Sequence, residues 1–184
     1  MDWLIVGLGN PGREYEGTRH NVGFEVANLL AGRWGLSRAK SKYGGLYTDG
    51  RAGPGGPRVG VLLPQTFMND AGGSVGPARG SLGVPLDRIV VIHDEIDFPF
   101  GRVESRLGGG TGGHNGLKSL RDGLGGADFH RVRAGVGRPD TTDPDIVAKY
   151  VLSRFREPKE DVRALIEDAA AAAERVIETP PSPA

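Results

Sequence analysis

Apolar and polar positions alternate along the chain with two periods, and together these predict an α/β fold. Short apolar runs rich in valine and isoleucine predict strands at 3–6, 59–63, 89–93 and 132–136, and weaker patterns predict strands at 45–48 and 102–106. In longer segments apolar residues recur every three or four positions, which predicts helices at 18–34, 70–82, 116–124 and 158–177. Strands that alternate with helices are typical of a twisted central sheet flanked by helices.

The segment 51–57 holds three glycines and two prolines, which predicts a turn between the strands on either side. Those strands then form an antiparallel hairpin, so the sheet is mixed. A length of 184 residues suits a single domain, which we expect to span 1–178. The proline-rich segment 179–184 cannot continue the last helix and is predicted to be disordered.

The composition excludes several classes of protein. The chain has no cysteine, which rules out disulfides and thiolate metal sites. No apolar run approaches the roughly 20 residues that span a bilayer, and the first residues lack the basic and apolar segments of a secretory signal. We therefore expect a cytoplasmic protein with no membrane partner.

The net charge is zero, but the charges are unevenly distributed. Segment 101–156 has ten basic and six acidic residues, whereas segment 157–184 has three basic and seven acidic residues. The basic residues can neutralise several phosphates of a nucleic acid if they share one face. A solvated surface is the alternative, and both interpretations stay open on charge alone.

The segment Gly7-Leu8-Gly9-Asn10-Pro11-Gly12 matches the G-x-G-x-x-G pattern of dinucleotide-binding loops. In such loops a helix begins inside the motif and directs its amides at a pyrophosphate. Here residues 13–17 have no apolar face, and helical periodicity starts only after Thr18, a candidate N-cap. We therefore interpret the motif as a tight loop that displays Asn10, Tyr15 and, at the helix start, His20 and Asn21.

Polar clusters follow three of the predicted strands, where α/β sheets place their sites. They contain Asn10, Asn69 and Asp94, and a glycine-rich segment displays His114 and Asn115. A histidine beside a carboxylate can act as a general base, and asparagine amides can bind a carbonyl or hydroxyl group. No serine or cysteine lies in a nucleophile-elbow pattern, so water is the expected nucleophile.

A metal site is the competing interpretation of the same clusters. The possible ligands are His20, His93, Asp94, Glu95 and His114. None of them shows a paired spacing such as H-x-x-x-H or H-E-x-x-H, so the pattern disfavours a metal without excluding it.

Several motifs together resemble the bacterial peptidyl-tRNA hydrolase family along nearly the whole chain. The matching segments are 8–12 with Tyr15, 18–23, 64–69, 93–97, 112–117 and 133–139. The resemblance implies a monomeric α/β fold with a mixed central sheet. It also implies an enzyme that acts in translation and ribosome rescue. Such an enzyme hydrolyses the ester between the peptide and the 3′-terminal ribose of peptidyl-tRNA and releases free tRNA and peptide. Neither a metal nor an organic cofactor is expected.

The resemblance also implies roles for individual residues. His20 is the implied general base that activates water, and Asp94 is the carboxylate that supports it. Asn10 is implied to distinguish peptidyl from aminoacyl ends. The residues implied to line the site for the peptide and the 3′ end are Tyr15, Phe67, Asn69 and Asn115.

The acceptor stem of a tRNA presents phosphates, and we expect Arg106, Arg133 and Arg138 to contact them on grounds of charge and location. Four positions depart from the family pattern: Leu63, Ala71, Thr111 and Arg106. Arg106 keeps the charge of the usual lysine. Leu63 replaces a common lysine, which puts a phosphate contact at that position in doubt.

Two other classes of function compete with an esterase. One is an RNA-binding module without catalytic activity, and the other is a metal-dependent hydrolase. The presence of His20, Asp94 and the three asparagines favours the esterase over the binding module.

Overall fold

The computed structural model describes residues 1–178, which form one mixed sheet with helices on both faces. The strands are β1 (Trp3–Gly7), β2 (Lys40–Lys42), β3 (Gly45–Arg51), β4 (Arg58–Pro64), β5 (Ile89–Glu95), β6 (Val103–Leu107) and β7 (His130–Gly135). The helices are α1 (Val22–Arg33), α2 (Gly72–Leu82), α3 (Asn115–Leu124), α4 (Pro144–Val151) and α5 (Lys159–Glu178). No helix within these residues is long and apolar enough to cross a membrane.

The strands are ordered β2-β3-β4-β1-β5-β7-β6 across the sheet. The four strands β4, β1, β5 and β7 run parallel, while the pairs β2–β3, β3–β4 and β6–β7 are antiparallel. The predicted α/β fold with a mixed sheet is therefore confirmed. The hairpin predicted around 51–57 is the β3–β4 pair.

Side chains of β1 alternate between two cores, as the two-residue period of a strand requires. Trp3 and Ile5 pack in the core that includes α1 and α5. Leu4 and Val6 pack on the other face, in the core that includes α2 and α3. Because both faces of β1 are covered, its whole apolar run is buried, which is why the run shows no polar alternation.

Two elements lie outside the sequence prediction. Strand β2 has three exposed residues and is held by backbone pairing to β3, so it has no apolar pattern to detect. Helix α4 has no fully buried residue, and its half-buried Tyr150 packs against the edge of the core that includes α1 and α5. Thr18 occupies the N-cap position of the 3₁₀ turn Arg19–Asn21, but its side chain makes no cap, because the hydroxyl donates to the Tyr15 carbonyl oxygen. The tail expected at 179–184 lies outside the described residues.

The glycine motif after β1 allows α1 to pack closely against the sheet. A Cβ on Gly23 of α1 would lie 2.3 Å from the carbonyl oxygen of Ile92 and 2.6 Å from the nitrogen of Leu8. A Cβ on Gly9 would lie 2.7 Å from the ring of Phe24. These glycines therefore bring the N-terminal end of α1 against the carboxyl ends of β1 and β5.

The carboxyl ends of β4, β1 and β5 meet at one edge of the sheet. Strands β4 and β5 lie on opposite sides of β1, and the helices that follow β1 and β4 pack on opposite faces of the sheet. This arrangement opens the crevice where α/β sheets bind ligands. Three predicted site residues lie here: Asn10 after β1, Asn69 after β4 and Asp94 near the end of β5.

The packing of α1 predicts opposite effects for two glycine substitutions on this helix. Gly23→Ala forces α1 away from the sheet and should lower the free energy of unfolding by about 2–3 kcal/mol. Gly32 has no atom within 4 Å of an added Cβ, so Gly32→Ala should raise the free energy of unfolding by about 0.5–1 kcal/mol. Urea denaturation of both variants measures the difference. Equal effects would contradict the close packing at Gly23.

Candidate active site

Asp94 lies between two histidines at the end of β5. One carboxylate oxygen, Oδ2, is 2.8 Å from Nδ1 of His20, and the other, Oδ1, is 2.8 Å from Nε2 of His114. The Asp94 side chain is 2% exposed. A buried carboxylate needs partners for both oxygens, and the two imidazoles supply them.

The second nitrogen of His114 fixes the proton positions in this group. His114 Nδ1 accepts hydrogen bonds from the backbone amides of Gly116 at 3.1 Å and Leu117 at 3.3 Å, which caps the first turn of α3. A nitrogen that accepts an N–H bond carries a lone pair, so the proton of a neutral His114 is on Nε2 and is donated to Asp94.

His20 adopts the opposite tautomer. Its Nδ1–H donates to Asp94, which leaves the lone pair on Nε2, and the ring lines the central cleft. His20 lies in a single 3₁₀ turn, Arg19–Asn21, directly before α1. This turn places the ring at the end of β5.

Burial and charge oppose each other at this pair. Burial lowers the pKa of His20, but the charge and hydrogen bond of Asp94 outweigh it and raise that pKa above its usual value. Burial raises the pKa of Asp94, but interactions with His20 and His114 outweigh it and hold that pKa below its usual range. Asp94 therefore stays ionised and favours the protonated form of His20 once a proton is transferred.

The group formed by His20, Asp94 and His114 also has the composition of a metal site, with potential ligand atoms within 4.8 Å of one another. The hydrogen bonds of His114 oppose this use. A metal on Nε2 would have to displace the proton that Nε2 carries, while Nδ1 stays occupied by two amide donors. The site therefore fits two hydrogen bonds to Asp94 better than a cation.

His93, a further possible ligand, lies beside this group, with its ring centroid 5.0 Å from that of His114, but its Nδ1 hydrogen bond goes to the backbone. It is 1% exposed, and its Nδ1–H donates to the backbone oxygen of Asp94 at 2.8 Å. Burial, with a further contribution from His114, lowers the pKa of His93 to about 3. His93 is therefore neutral at physiological pH and helps to hold the backbone of Asp94.

Asn10 is held by a reciprocal pair of hydrogen bonds with Asn21. The backbone nitrogen of Asn10 donates to Asn21 Oδ1 at 2.8 Å, and Asn21 Nδ2 donates to the backbone carbonyl oxygen of Asn10 at 3.0 Å. The side-chain oxygen of Asn10 accepts from the Met68 nitrogen at 2.7 Å. The Asn10 side chain lines the cleft, so its Nδ2 amide is the group left to donate to a ligand.

The cleft has a volume of about 510 Å³ and is lined by most of the predicted substrate-binding residues. Asn69 and Asn115 are exposed on its two sides, and Phe67 lies on its rim with a half-exposed ring. Phe67 and Tyr15 form an edge-on aromatic pair with ring centroids 6.3 Å apart. The cleft therefore combines amide donors with an aromatic edge.

Phe67 has a backbone φ of 63°, in the left-handed region that bulky residues rarely adopt. Such strain costs on the order of 1–3 kcal/mol and is found most often at ligand sites. The conformation presents the Phe67 ring at the rim of the cleft, where it contacts Tyr15.

Helix α4 forms the apolar wall of the same cleft. The residues that it and the following position contribute are Pro144, Val147, Ala148, Val151 and Leu152. Sequence reasoning missed this wall, together with the clamp by Asn21 and the bond from His114 to Asp94. The apolar pattern of α4 was detectable, but a short helix with no buried residue resembles a loop in sequence.

Two of the three predicted phosphate-binding arginines share a second cleft. Arg106 and Arg133 line a cavity of about 210 Å³ beside the glycine-rich loop. Arg133 also contacts Glu104, with Nη2 and Oε2 3.3 Å apart. Arg138 does not line this cavity and lies on the surface 3.6 Å from Asp97.

Arg131 lines the second cleft but serves the fold. It is 2% exposed, and its guanidinium donates to the carbonyl oxygens of Gly109, Gly110 and Ala127. This basic residue therefore fixes the shape of the glycine-rich loop. The charge excess of segment 101–156 includes at least one arginine that is committed to internal contacts.

The structure shows where three departures from the family pattern lie. Leu63 and Ala71 are buried in the two cores. Neither side chain is placed to contact a phosphate. Thr111 lines the second cleft beside Arg106 and Arg133.

The sequence model of the family described as peptidyl-tRNA hydrolase matches residues 4–182. The peptidyl-tRNA hydrolase of Syntrophotalea carbinolica is 54% identical over 83% of this chain and 78% of its own length. That of Mycobacterium avium is 47% identical over 98% of this chain and 94% of its own. A crystal structure of the Acinetobacter baumannii enzyme superposes with a TM-score of 0.80 at 33% identity, covering 96% of this chain and 92% of that one. The chain therefore belongs to the peptidyl-tRNA hydrolase family.

Proposed function

We propose that this protein hydrolyses the ester between the peptide and the 3′-terminal ribose of peptidyl-tRNA. His20 Nε2 removes a proton from water as the water oxygen attacks the ester carbonyl. The resulting tetrahedral intermediate expels the ribose oxygen, which takes the proton back from His20. The products are free tRNA and the peptide, whose new carboxylic acid releases its proton to solvent at neutral pH.

The observation that carries this proposal is the orientation of His20 by Asp94. The 2.8 Å bond from Nδ1 to Oδ2 holds the lone pair of Nε2 available and stabilises the imidazolium that forms. Family membership supplies the substrate. The amides of Asn10, Asn69 and Asn115 surround the same cleft and are suited to bind the carbonyl groups of the substrate.

The tRNA is proposed to bind across both clefts. Phe67 and Tyr15 offer an aromatic pair for the terminal base or for peptide side chains. Arg106, Arg133 and Arg138 are proposed to contact acceptor-stem phosphates, and the shared cavity of the first two favours them over Arg138. We further propose that the protein acts in the cytoplasm, because its substrate is a product of translation. We also propose that it acts as a monomer and without a cofactor.

Loss of the proposed base should abolish most turnover. His20→Ala should lower kcat by on the order of 10²–10⁴-fold while binding of tRNA persists. The assay is release of peptide from purified peptidyl-tRNA, run beside aminoacyl-tRNA. His130→Gln is the matched control, because His130 packs beside Trp3 at the other end of the sheet.

The same assay distinguishes the competing classes of function. Near wild-type turnover by His20→Ala would remove His20 from the mechanism. Activity lost on exhaustive chelation would favour a metal-dependent hydrolase, and binding without ester cleavage by the unaltered protein would favour an RNA-binding module.

The pKa of His20 sets the acid limb of the pH profile. The neutral form is the base, so kcat/KM should rise with pH through a pKa that Asp94 raises above the usual histidine value. In Asp94→Asn the raising charge is lost while the burial remains, so the limb should move to lower pH. The plateau should fall at least about 100-fold, because asparagine can hold the wrong tautomer. A limb that stays in place in Asp94→Asn would contradict the pairing.

Phosphate contact at Arg133 should appear in the salt dependence of binding. Arg133→Ala should weaken tRNA binding more than it slows the chemical step. It should also make the slope of log K against log salt shallower by roughly one. Arg58→Ala is the control, since Arg58 is exposed at the opposite end of the sheet. An unchanged slope for Arg133→Ala would exclude a phosphate contact.

A further inference from the structure

Helix α4 carries the apolar wall of the cleft, and it contacts the core through the half-buried Tyr150. None of its residues is buried, and its half-buried positions Val147 and Val151 face the cleft. A surface helix of eight residues is marginal by itself. Specific contacts at its C-terminal end, where Tyr150 lies, therefore help to set its position relative to His20.

Arg19 supplies these contacts at the C-terminal end of α4. Its side chain donates to the Tyr150 carbonyl oxygen at 3.0 Å and to the hydroxyl of Ser153. Its backbone nitrogen donates to the Ser153 carbonyl oxygen at 3.0 Å. The last carbonyls of a helix lack partners within the helix, and a cation is favourable there.

Aromatic contacts reinforce the same anchor. The guanidinium carbon of Arg19 lies 3.9 Å from the ring centroid of Tyr150, within the range of a cation–π interaction. The Tyr150 hydroxyl donates to the Val136 carbonyl oxygen at 2.6 Å, just beyond β7. Tyr150 is thus fixed to the sheet and to Arg19 at once.

The anchor is adjacent in sequence to the proposed base. Arg19 and His20 share one 3₁₀ turn, and Arg19 is 3% exposed. The turn therefore sets the position of both the Nε2 nitrogen and the helix that faces it. Displacement of α4 would change the apolar wall while leaving the bond between His20 and Asp94 in place.

We propose that Arg19 is a positioning residue that fixes α4 against the His20 turn and so sets the affinity of the cleft for apolar side chains of the bound peptide. This inference rests on the proposed function, which supplies the peptide. Arg19 needs its planar guanidinium for the role, because Nη1 donates to Tyr150 and Ser153 while the guanidinium lies over the Tyr150 ring, and a lysine ammonium has no plane to stack there.

The test compares two substrates built on one tRNA, carrying either N-acetyl-diphenylalanine or N-acetyl-diglycine. For Arg19→Lys and Arg19→Met, KM for the diphenylalanine substrate should rise about tenfold or more, and KM for the diglycine substrate less than about threefold. The acid limb of the pH profile should stay in place, since the bond between His20 and Asp94 is retained. Arg58→Lys is the matched control for an arginine change outside the site.

A second variant, at Tyr150, tests the same contact if the Arg19 variants fold poorly. Tyr150→Leu leaves Arg19 intact and removes two of the contacts: the aromatic ring that stacks on the guanidinium, and the hydrogen bond from the Tyr150 hydroxyl to Val136. It should reproduce the same split in KM. Thermal melts monitored by circular dichroism establish that each variant is folded at the assay temperature.

Equal changes in KM for both substrates, or a fall in kcat with a shifted acid limb, would overturn the inference and leave Arg19 a purely structural residue. If the unaltered protein released neither peptide, the proposed function would fail and this inference with it. Release of both peptides by the unaltered protein, without the split in the variants, would overturn the role of Arg19 alone.

Discussion

The structure of the site depends on one buried carboxylate that accepts a hydrogen bond from each of two histidines. Asp94 can remain ionised at 2% exposure because both of its oxygens are satisfied, at 2.8 Å each. His114 can donate to it because two backbone amides at the start of α3 occupy the other nitrogen. His20 completes the arrangement, and its remaining nitrogen faces the cleft with a lone pair. The orientation of His20 and the capping of α3 are therefore parts of one hydrogen-bonded unit.

Close packing brings this unit together. Gly23 allows α1 to approach the backbone of Leu8 and Ile92, which places the turn before α1 beside the end of β5. The same approach lets Asn21 clamp Asn10 on both sides. The G-x-G-x-x-G pattern, which in a dinucleotide fold would admit a pyrophosphate, here admits a helix. A motif of glycines indicates that something passes close to the backbone, and the neighbouring residues decide what that is.

The sequence predicted the central fold and most of the polar side chains that line the site, because these depend on local patterns. The strands buried on both faces are continuous apolar runs, and Asn10, Asn69 and Asp94 follow strands that meet at one edge. What it missed depends on distant contacts. The bond from His114 to Asp94 spans 20 positions, and the contact of Arg19 with Tyr150 spans 131. Strand β2 and helix α4 were missed because neither buries an apolar face. The basic count of segment 101–156 also overstated the surface charge, since Arg131 is committed to the glycine-rich loop.

The most direct test of the central arrangement is the position of the imidazole protons, measured by ¹⁵N NMR of the histidine side chains at a pH above the pKa of His20. The arrangement predicts opposite tautomers. His20 should carry its proton on Nδ1 with a lone pair on Nε2, and His114 should carry its proton on Nε2 with a lone pair on Nδ1. A His114 proton on Nδ1, or the same tautomer at both residues, would contradict a carboxylate shared between the two histidines.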